Sequence, residues 1–213
     1  MIKNSQAISV PKSIIESICK NRDYLSELDS LGDGDHGINM SKGMILAQKI
    51  ISNEHINDMS GGFQAIKTAL MDHIGGSMGP LYGMFFKGFI KATADKEEIS
   101  GDTVNDMLHN ALNSVESITS AKIGDKSLLD TLIPAVKGFD QEWQINKNLI
   151  SSLQYMQKEA KKGFESTRNL KANIGRAARL GDKTVGHLDA GAASCNLILQ
   201  AFAESIISLE RGI

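Results

Sequence analysis

The chain has 213 residues, 41% of them hydrophobic, and a formal net charge of −2, which is what one well-buried soluble domain over residues 1–213 requires and is short for two. With 5% aromatic residues and no basic stripe, it lacks the makings of a nucleic-acid platform, so no nucleic-acid partner is expected. Met1 to Lys12 is polar without the apolar core of a signal peptide, and no run approaches the ~18 apolar residues that cross a bilayer, so no membrane partner is expected either.

Only three prolines occur, and Gly and Asp collect between long segments whose apolar residues recur with a period of about 3.6. Pro11 can start a helix whose inner face carries Ile14, Ile15, Ile18, Leu25 and Leu28. A second helix runs from about Ile38 to Ile51, and a third from Ser60, as N-cap, to His73. Pro80 opens a fourth through Leu81, Phe85, Phe86 and Phe89, ending near Lys91. Asp102 to Thr119 reads as a fifth, with Val104, Leu108, Leu112 and Val115 as its apolar stripe. Ser127 to Val136 is a shorter sixth, and Lys137 to Asn148, holding Trp143, reads as the longest connection. The seventh helix spans about Leu149 to Leu170 and the last Ala190 to Leu209. Cys19 and Cys195 fall in apolar helical segments and match no paired framework, so reduced thiols in a cytoplasmic protein are expected. No alternating strand finds a partner, and the whole reads as an all-α antiparallel bundle.

Alternate connections of an antiparallel bundle share one end, so the Gly/Asp-rich loops at 29–37, 75–80, 124–130 and 175–189 can converge on one rim. The first is the most informative. Leu28-Asp29-Ser30-Leu31-Gly32-Asp33-Gly34-Asp35-His36-Gly37-Ile38-Asn39-Met40 packs three carboxylates and a histidine into one loop. Carboxylates ~6 Å apart repel by roughly 3 kcal/mol per pair at an effective dielectric of ~20. Such a cluster calls for positive charge among its oxygens, and a hard divalent cation suits them best. Two familiar patterns fail here. Gly32-x-Gly34-x-x-Gly37 has dinucleotide spacing, but no β-branched strand precedes it and its aspartates would repel a pyrophosphate. An EF-hand counted from Asp29 puts Leu31 and Met40 where oxygen ligands are needed. Magnesium, held by a few carboxylates plus water and phosphate oxygens, fits what is left; the alternative is a solvated acidic turn.

Gly75-Gly76-Ser77-Met78-Gly79-Pro80 precedes a helix and can cradle a phosphate on its backbone N–H groups, or simply lead the chain into that helix. It is not a P-loop, because no Gly-Lys-Ser/Thr follows, so a cation would have to neutralise the phosphates. Gly124-Asp125-Lys126-Ser127-Leu128-Leu129-Asp130 reads locally as a helix start capped by Ser127 or Asp125. Gly175-Arg176, Gly181-Asp182-Lys183-Thr184 and Gly186-His187-Leu188-Asp189-Ala190-Gly191-Ala192 permit a flat ring against backbone, with Arg176 on a phosphate; a tight glycine crossing before the last helix is equally compatible. His55 and His109 read as surface residues and His73 as a helix-end residue.

With these loops in order, the chain resembles the ADP-binding L subunit of dihydroxyacetone kinase over nearly its whole length. The resemblance rests on Gly-Asp-Gly-Asp-His-Gly-Ile-Asn-Met (32–40), Gly-Gly-Ser-Met-Gly-Pro-Leu-Tyr-Gly (75–83), Gly-Asp-Lys-Ser (124–127) and Gly-His-Leu-Asp-Ala-Gly-Ala (186–192). It implies an eight-helix antiparallel barrel with nucleotide-binding loops at one end. It further implies that Asp29, Asp33 and Asp35 hold two Mg2+ ions bridging the phosphates of ADP or ATP, with His36 and Asn39 beside them. Gly76, Ser77 and Met78 would line the phosphate loop, and Ser127, Leu128, Gly175, Arg176 and Asp189 the rest of the nucleotide. The implied reaction passes a phosphoryl group to dihydroxyacetone held on a partner K subunit, with a phosphocarrier M subunit regenerating ATP from bound ADP; no residue of this chain acts as the base on the sugar. Two other readings are a nucleotide-loaded adaptor for a transcriptional regulator and an ATP-dependent kinase subunit for another ketose. Against the usual family pattern, the Asp29–Asp33 spacer is one residue shorter. Met78, Leu128, Ala190 and Asn173 replace serine, methionine, proline and arginine.

Overall fold

In the computed structural model, which describes residues 2–213, the periodic segments form nine α-helices. They are α1 (Ser9–Lys20), α2 (Arg22–Leu28), α3 (His36–Asn53), α4 (Met59–His73), α5 (Met78–Thr93), α6 (Gly101–Glu116), α7 (Leu129–Asn146), α8 (Leu149–Ser166) and α9 (Ala190–Arg211). The first expected helix is broken at Asn21, whose side-chain amide donates back to the Ser17 carbonyl at 2.8 Å. Both halves pack on α3 and α9 and fill one place in a ring. Each helix packs on the next and α9 closes on α1, giving eight antiparallel rods. The two-residue strands β1 (Ile2–Lys3) and β2 (Glu98–Ile99) pair antiparallel, Ile2 opposite Ile99, and pin the N-terminus to the α5–α6 connection.

α5 supplies the densest part of the core. Phe86 and Phe89 meet Phe63 of α4, and Phe89 also meets Phe202 of α9, with ring centroids 5.0–5.9 Å apart, while Phe85 packs on Phe89 at 4.8 Å, the offset and edge contacts that aromatic quadrupoles favour. α9 is long and apolar enough by composition to cross a membrane, yet 67% of its most apolar stretch is buried inside the ring. A helix apolar on most sides needs a partner on most sides, and here the neighbouring helices supply it.

Three expectations change. Residues 137–146 continue α7 rather than forming a connection, because Leu132, Val136, Phe139 and Trp143 keep the helical spacing and all are buried. The turn after it is two residues, Lys147 in a left-handed conformation and Asn148 capping α8 through Ser151 N. The longest connection is instead 167–189, since α8 stops at Ser166. The cap of α4 is Asp58, which accepts from Gly61 N at 2.7 Å, not Ser60. Trp143 lies at the end of α7, where its indole donates to Asp102 at 2.8 Å, stacks on Phe139 and sits beneath the Lys147 ammonium.

Antiparallel order sends the connections 29–35, 74–77, 117–128 and 167–189 to one end of the barrel and 54–58, 94–100 and 147–148 to the other. The first end carries the longest loop and the sequence motifs; it is called the mouth below.

Candidate functional site

At the mouth, the chain leaves α2 in a short 3-10 turn over Asp29–Leu31, and the Asp29 carbonyl gathers the N–H groups of Gly32 and Gly34 at 2.7 and 3.2 Å. The Asp29 carboxylate then accepts from His36 N at 3.2 Å, satisfying an orphan donor of α3 from seven residues back. A side chain at Gly37 would run into the Arg22 carbonyl, so α2 and α3 cross this closely only because residue 37 is glycine. The result brings one oxygen each of Asp29, Asp33 and Asp35 within 4.8 Å of one another. At that spacing each pair repels by about 3.5 kcal/mol at an effective dielectric of ~20. Burial pushes the Asp29 carboxyl up and the charge of Asp35 adds to it, against the lowering effect of the His36 N–H.

Part of the missing positive charge comes from Arg176, whose guanidinium pairs with Asp33 across the mouth. The Arg176 side chain is 55% exposed, and an ion pair that wet is worth at most about 1 kcal/mol, so it yields easily to a better cation. Oxygen-only donors favour a hard cation, and oxygens on opposite sides of such an ion stand roughly 4–5 Å apart, so the trio fits a divalent cation of this kind.

His36, the first residue of α3, points inward, with Nε2 2.8 Å from Ser194 Oγ on α9. Burial pulls its pKa down to about 4, so it is neutral at physiological pH. Asn39 lies one turn further, half-buried, its N–H on the Asp35 carbonyl at 2.9 Å. In the α4–α5 connection Gly76 has φ +72°, a conformation that favours glycine, and nothing lies within 4 Å of where a Cβ would stand. Ser77 is exposed at the N-cap position of α5 without capping it, and Met78 packs its side chain against the core. No hydrogen bond or ion pair found among the described residues joins Gly76–Met78 to the acidic trio. Tyr82, one turn into α5, links this segment to the mouth through Ser194 and Gly191.

The α6–α7 connection is organised by a residue that local reading passed over. Asp130, 1% exposed, accepts from Gly124 N at 2.5 Å and from Ser127 N at 2.7 Å, replacing the cap expected from Ser127 or Asp125. Ser127 Oγ accepts from Leu129 N, at 3.2 Å, while Asp125 reaches Lys122 N and the Asn173 amide. Between them, Lys126 turns its ammonium into the 167–189 connection and donates to the carbonyls of Leu170, Thr184 and His187 at 3.1, 2.5 and 2.7 Å. Burial lowers its pKa, with the charge of Asp189 acting the other way.

That connection ends at Asp189, which caps α9 through Ala192 N at 2.7 Å while its own N–H rests on Thr167 Oγ1 at 3.1 Å. Burial raises the Asp189 pKa to about 6; the charges of Asp130 and Asp29 add to the rise and Lys126 offsets it. Leu128 comes against the start of α9, its backbone N 3.6 Å from the Cβ position of Gly191, and Gly175 turns with φ +72° into open space. Asp29, Asp33, Asp35, His36 and Arg176 thus stand together, with Ser127, Leu128 and Asp189 on the facing loops. Lys126, Asp130, Tyr82 and Ser194 join them without having been singled out beforehand. Only the Asp130 spacing, three residues after Ser127, was a local signal for its capping role.

A ring of antiparallel helices with its acidic and glycine-rich loops at one mouth is the architecture of a DAK2 domain, and residues 30–204 match that family. The chain is 32% identical over 194 residues to the PEP-dependent dihydroxyacetone kinase 1 ADP-binding subunit DhaL of Listeria innocua, covering 91% of this chain and 92% of that one. It is 32% identical over 185 residues to the corresponding PEP-dependent subunit of Escherichia coli, covering 85% and 87%. The dihydroxyacetone kinase of C. freundii superposes with a TM-score of 0.72 at 22% identity, over 95% of this chain and 34% of that one. Its complex with AMP-PNP and Mg2+ gives 0.66. At that identity the likeness establishes the fold alone. The chain belongs to the DAK2 family, among the ADP-binding DhaL subunits of the dihydroxyacetone kinases, which are phosphotransferases.

Proposed function

We propose that this chain carries the nucleotide in a phosphoenolpyruvate-linked dihydroxyacetone kinase, passing a phosphoryl group from ATP, regenerated on bound ADP, to a ketose presented by a separate K subunit. The observation that carries the reading is the acidic trio of Asp29, Asp33 and Asp35 at the mouth of a barrel whose other same-end loops expose glycine-rich backbone. The relatives of matching length are named as PEP-dependent ADP-binding subunits, which supports the phosphoenolpyruvate-linked form.

In this reading Asp29, Asp33 and Asp35 hold two Mg2+ ions. The bound cations supply charge neutralisation for the phosphates. The backbone at Gly76 and Ser77 and the start of α5 approach the phosphate oxygens, where a helix N-terminus favours negative charge. Arg176 leaves Asp33 for a phosphate when the cation arrives, because its exposed pair is weak. Ser127, Leu128, Gly175 and Asp189 border the remainder of the nucleotide, with His36 and Asn39 beside the trio and Met78 backing the phosphate loop. The chain's own contribution is alignment and fixed electrostatics, and the acceptor and its base belong to the partner. A phosphocarrier M subunit is the phosphoryl source.

The test is reconstitution. Native mass spectrometry of the purified chain should show retained ADP with Mg2+, and adding K and M partners with phosphoenolpyruvate should move phosphate to dihydroxyacetone. Turnover with free ATP and no phosphocarrier would replace this reading by that of an ATP-dependent ketose kinase subunit. Capture of a transcriptional regulator without any transfer would replace it by an adaptor.

A further inference from the structure

Beneath the mouth, a buried polar chain joins α3, α5 and α9. Ser194 of α9 is fully buried and Tyr82 of α5 is 2% exposed. Ser194 Oγ lies 2.8 Å from His36 Nε2 on α3 and 2.5 Å from the Tyr82 hydroxyl, which in turn lies 2.9 Å from the Gly191 carbonyl. Longer contacts of 3.1 Å run from Ser194 Oγ to the carbonyls of Ala190 and Gly191 in its own helical turn.

Counting protons fixes the direction of this chain. A carbonyl only accepts, so the Tyr82–Gly191 contact consumes the single phenolic proton. The 2.5 Å contact between Tyr82 and Ser194 then needs the serine proton, and Ser194 has nothing left to give His36. The proton in the 2.8 Å contact must come from the imidazole. One arrangement alone places a proton in all three short contacts: His36 Nε2–H to Ser194, Ser194 to Tyr82, Tyr82 to Gly191 C=O. A neutral imidazole with its proton on Nε2 has a bare, accepting Nδ1.

We infer that Ser194 and Tyr82 are positioning residues for the mouth: they lock His36, the first residue of α3, as the Nε2–H tautomer. The terminal acceptor, Gly191, lies at the start of α9 two residues beyond Asp189, so the same chain sets the start of α9 against the start of α3.

The tautomer is read without any ligand. Nitrogen NMR of the 15N-histidine-labelled wild type, with His36 assigned by its loss in His36→Gln, should show one protonated nitrogen at Nε2 with slow proton exchange and one bare nitrogen at Nδ1. A proton on Nδ1 would overturn the inference outright, whatever any variant does. Ser194→Ala should lose that protected signal and weaken Mg-ADP binding, measured by calorimetry, by about tenfold, the loss of one buried hydrogen-bond partner. Tyr82→Phe frees the serine proton, so Ser194 can donate to His36 and the pure Nε2–H signal should give way to a mixture of tautomers; a Tyr82→Phe protein that keeps the wild-type signal would remove Tyr82 from the lock. A folded Ser194→Ala protein with wild-type affinity and tautomer would sink the inference, and a purely packing role would lower its melting temperature while leaving both unchanged. The binding readout rests on the nucleotide reading, which fails separately if the wild type binds no ADP.

Discussion

Replacing Lys126 by methionine removes one charge while keeping the reach of the side chain and asking nothing new of the backbone. The three carbonyls at Leu170, Thr184 and His187 lose their common donor. Thr184 is fully buried, so its carbonyl bears the full cost of an unmet acceptor, about 2 kcal/mol. His187 is exposed and Leu170 half-buried, so water replaces much of what they lose, leaving about 0.5–1 kcal/mol each. The gross loss is about 3–4 kcal/mol. Relief from burying an ammonium, whose pKa burial already lowers, returns roughly 1 kcal/mol, leaving about 2–3 kcal/mol net. The loss falls on the 167–189 connection rather than on the ring, because all three of these carbonyls belong to that connection. Hydrogen exchange should therefore show faster exchange in peptides from 168–188, notably at the Ala172 N–H held by Thr184, with the amides of α5 unchanged. Mg-ADP affinity should fall, since Gly175, Arg176 and Asp189 ride on this connection. Wild-type protection across 168–188 in Lys126→Met would refute the reasoning.

Two further outcomes follow from charge. Asp35→Asn should raise the melting temperature of the metal-free protein by a few degrees, by relieving repulsion within the trio, while abolishing the rise produced by Mg2+ and stopping transfer; an unchanged Mg2+ response in differential scanning would remove the trio from the metal site. His36 and Asp189 give pH dependences of opposite sign. His36 binds its proton more weakly folded (about 4) than unfolded (about 6.5), so its contribution is lost as pH falls through that window, whereas Asp189 binds more tightly folded (about 6) than unfolded (about 3.8), so stability is gained as pH falls. Metal-free wild type should be nearly flat from these two groups between pH ~6 and ~4; His36→Gln should gain, and Asp189→Asn lose, about 1 kcal/mol per pH unit by urea titration, with equal slopes in all three proteins as the contrary result.

What the sequence disclosed was local. Asp29, Asp33 and Asp35 lie within seven residues, so their mutual repulsion can be reasoned from spacing, and the structure does bring their oxygens together. Most of the helices were legible from apolar period; the break at Asn21 was not, and Gly138 and the polar run Asp140 to Glu142 hid the second half of α7. The partners of Lys126 lie 44 to 61 residues away and the His36–Ser194 contact spans 158, and no pattern along the chain encodes pairings across a closed ring. Arg176 shows the same limit. Its residue type suits a phosphate, but its placement against Asp33 appears only once the loops have met.

The single tryptophan stands at the far end of the barrel from all of this. Fourteen residues of α7 separate it from the loop at Leu129, about 20 Å of helix, and it is held there by Asp102, Phe139 and Lys147. Intrinsic fluorescence is therefore a faithful gauge of global unfolding and a blind one for occupancy of the mouth, where no indole lies close enough to be quenched. Reporting on ligand by light will require a fluorophore introduced among the loops themselves.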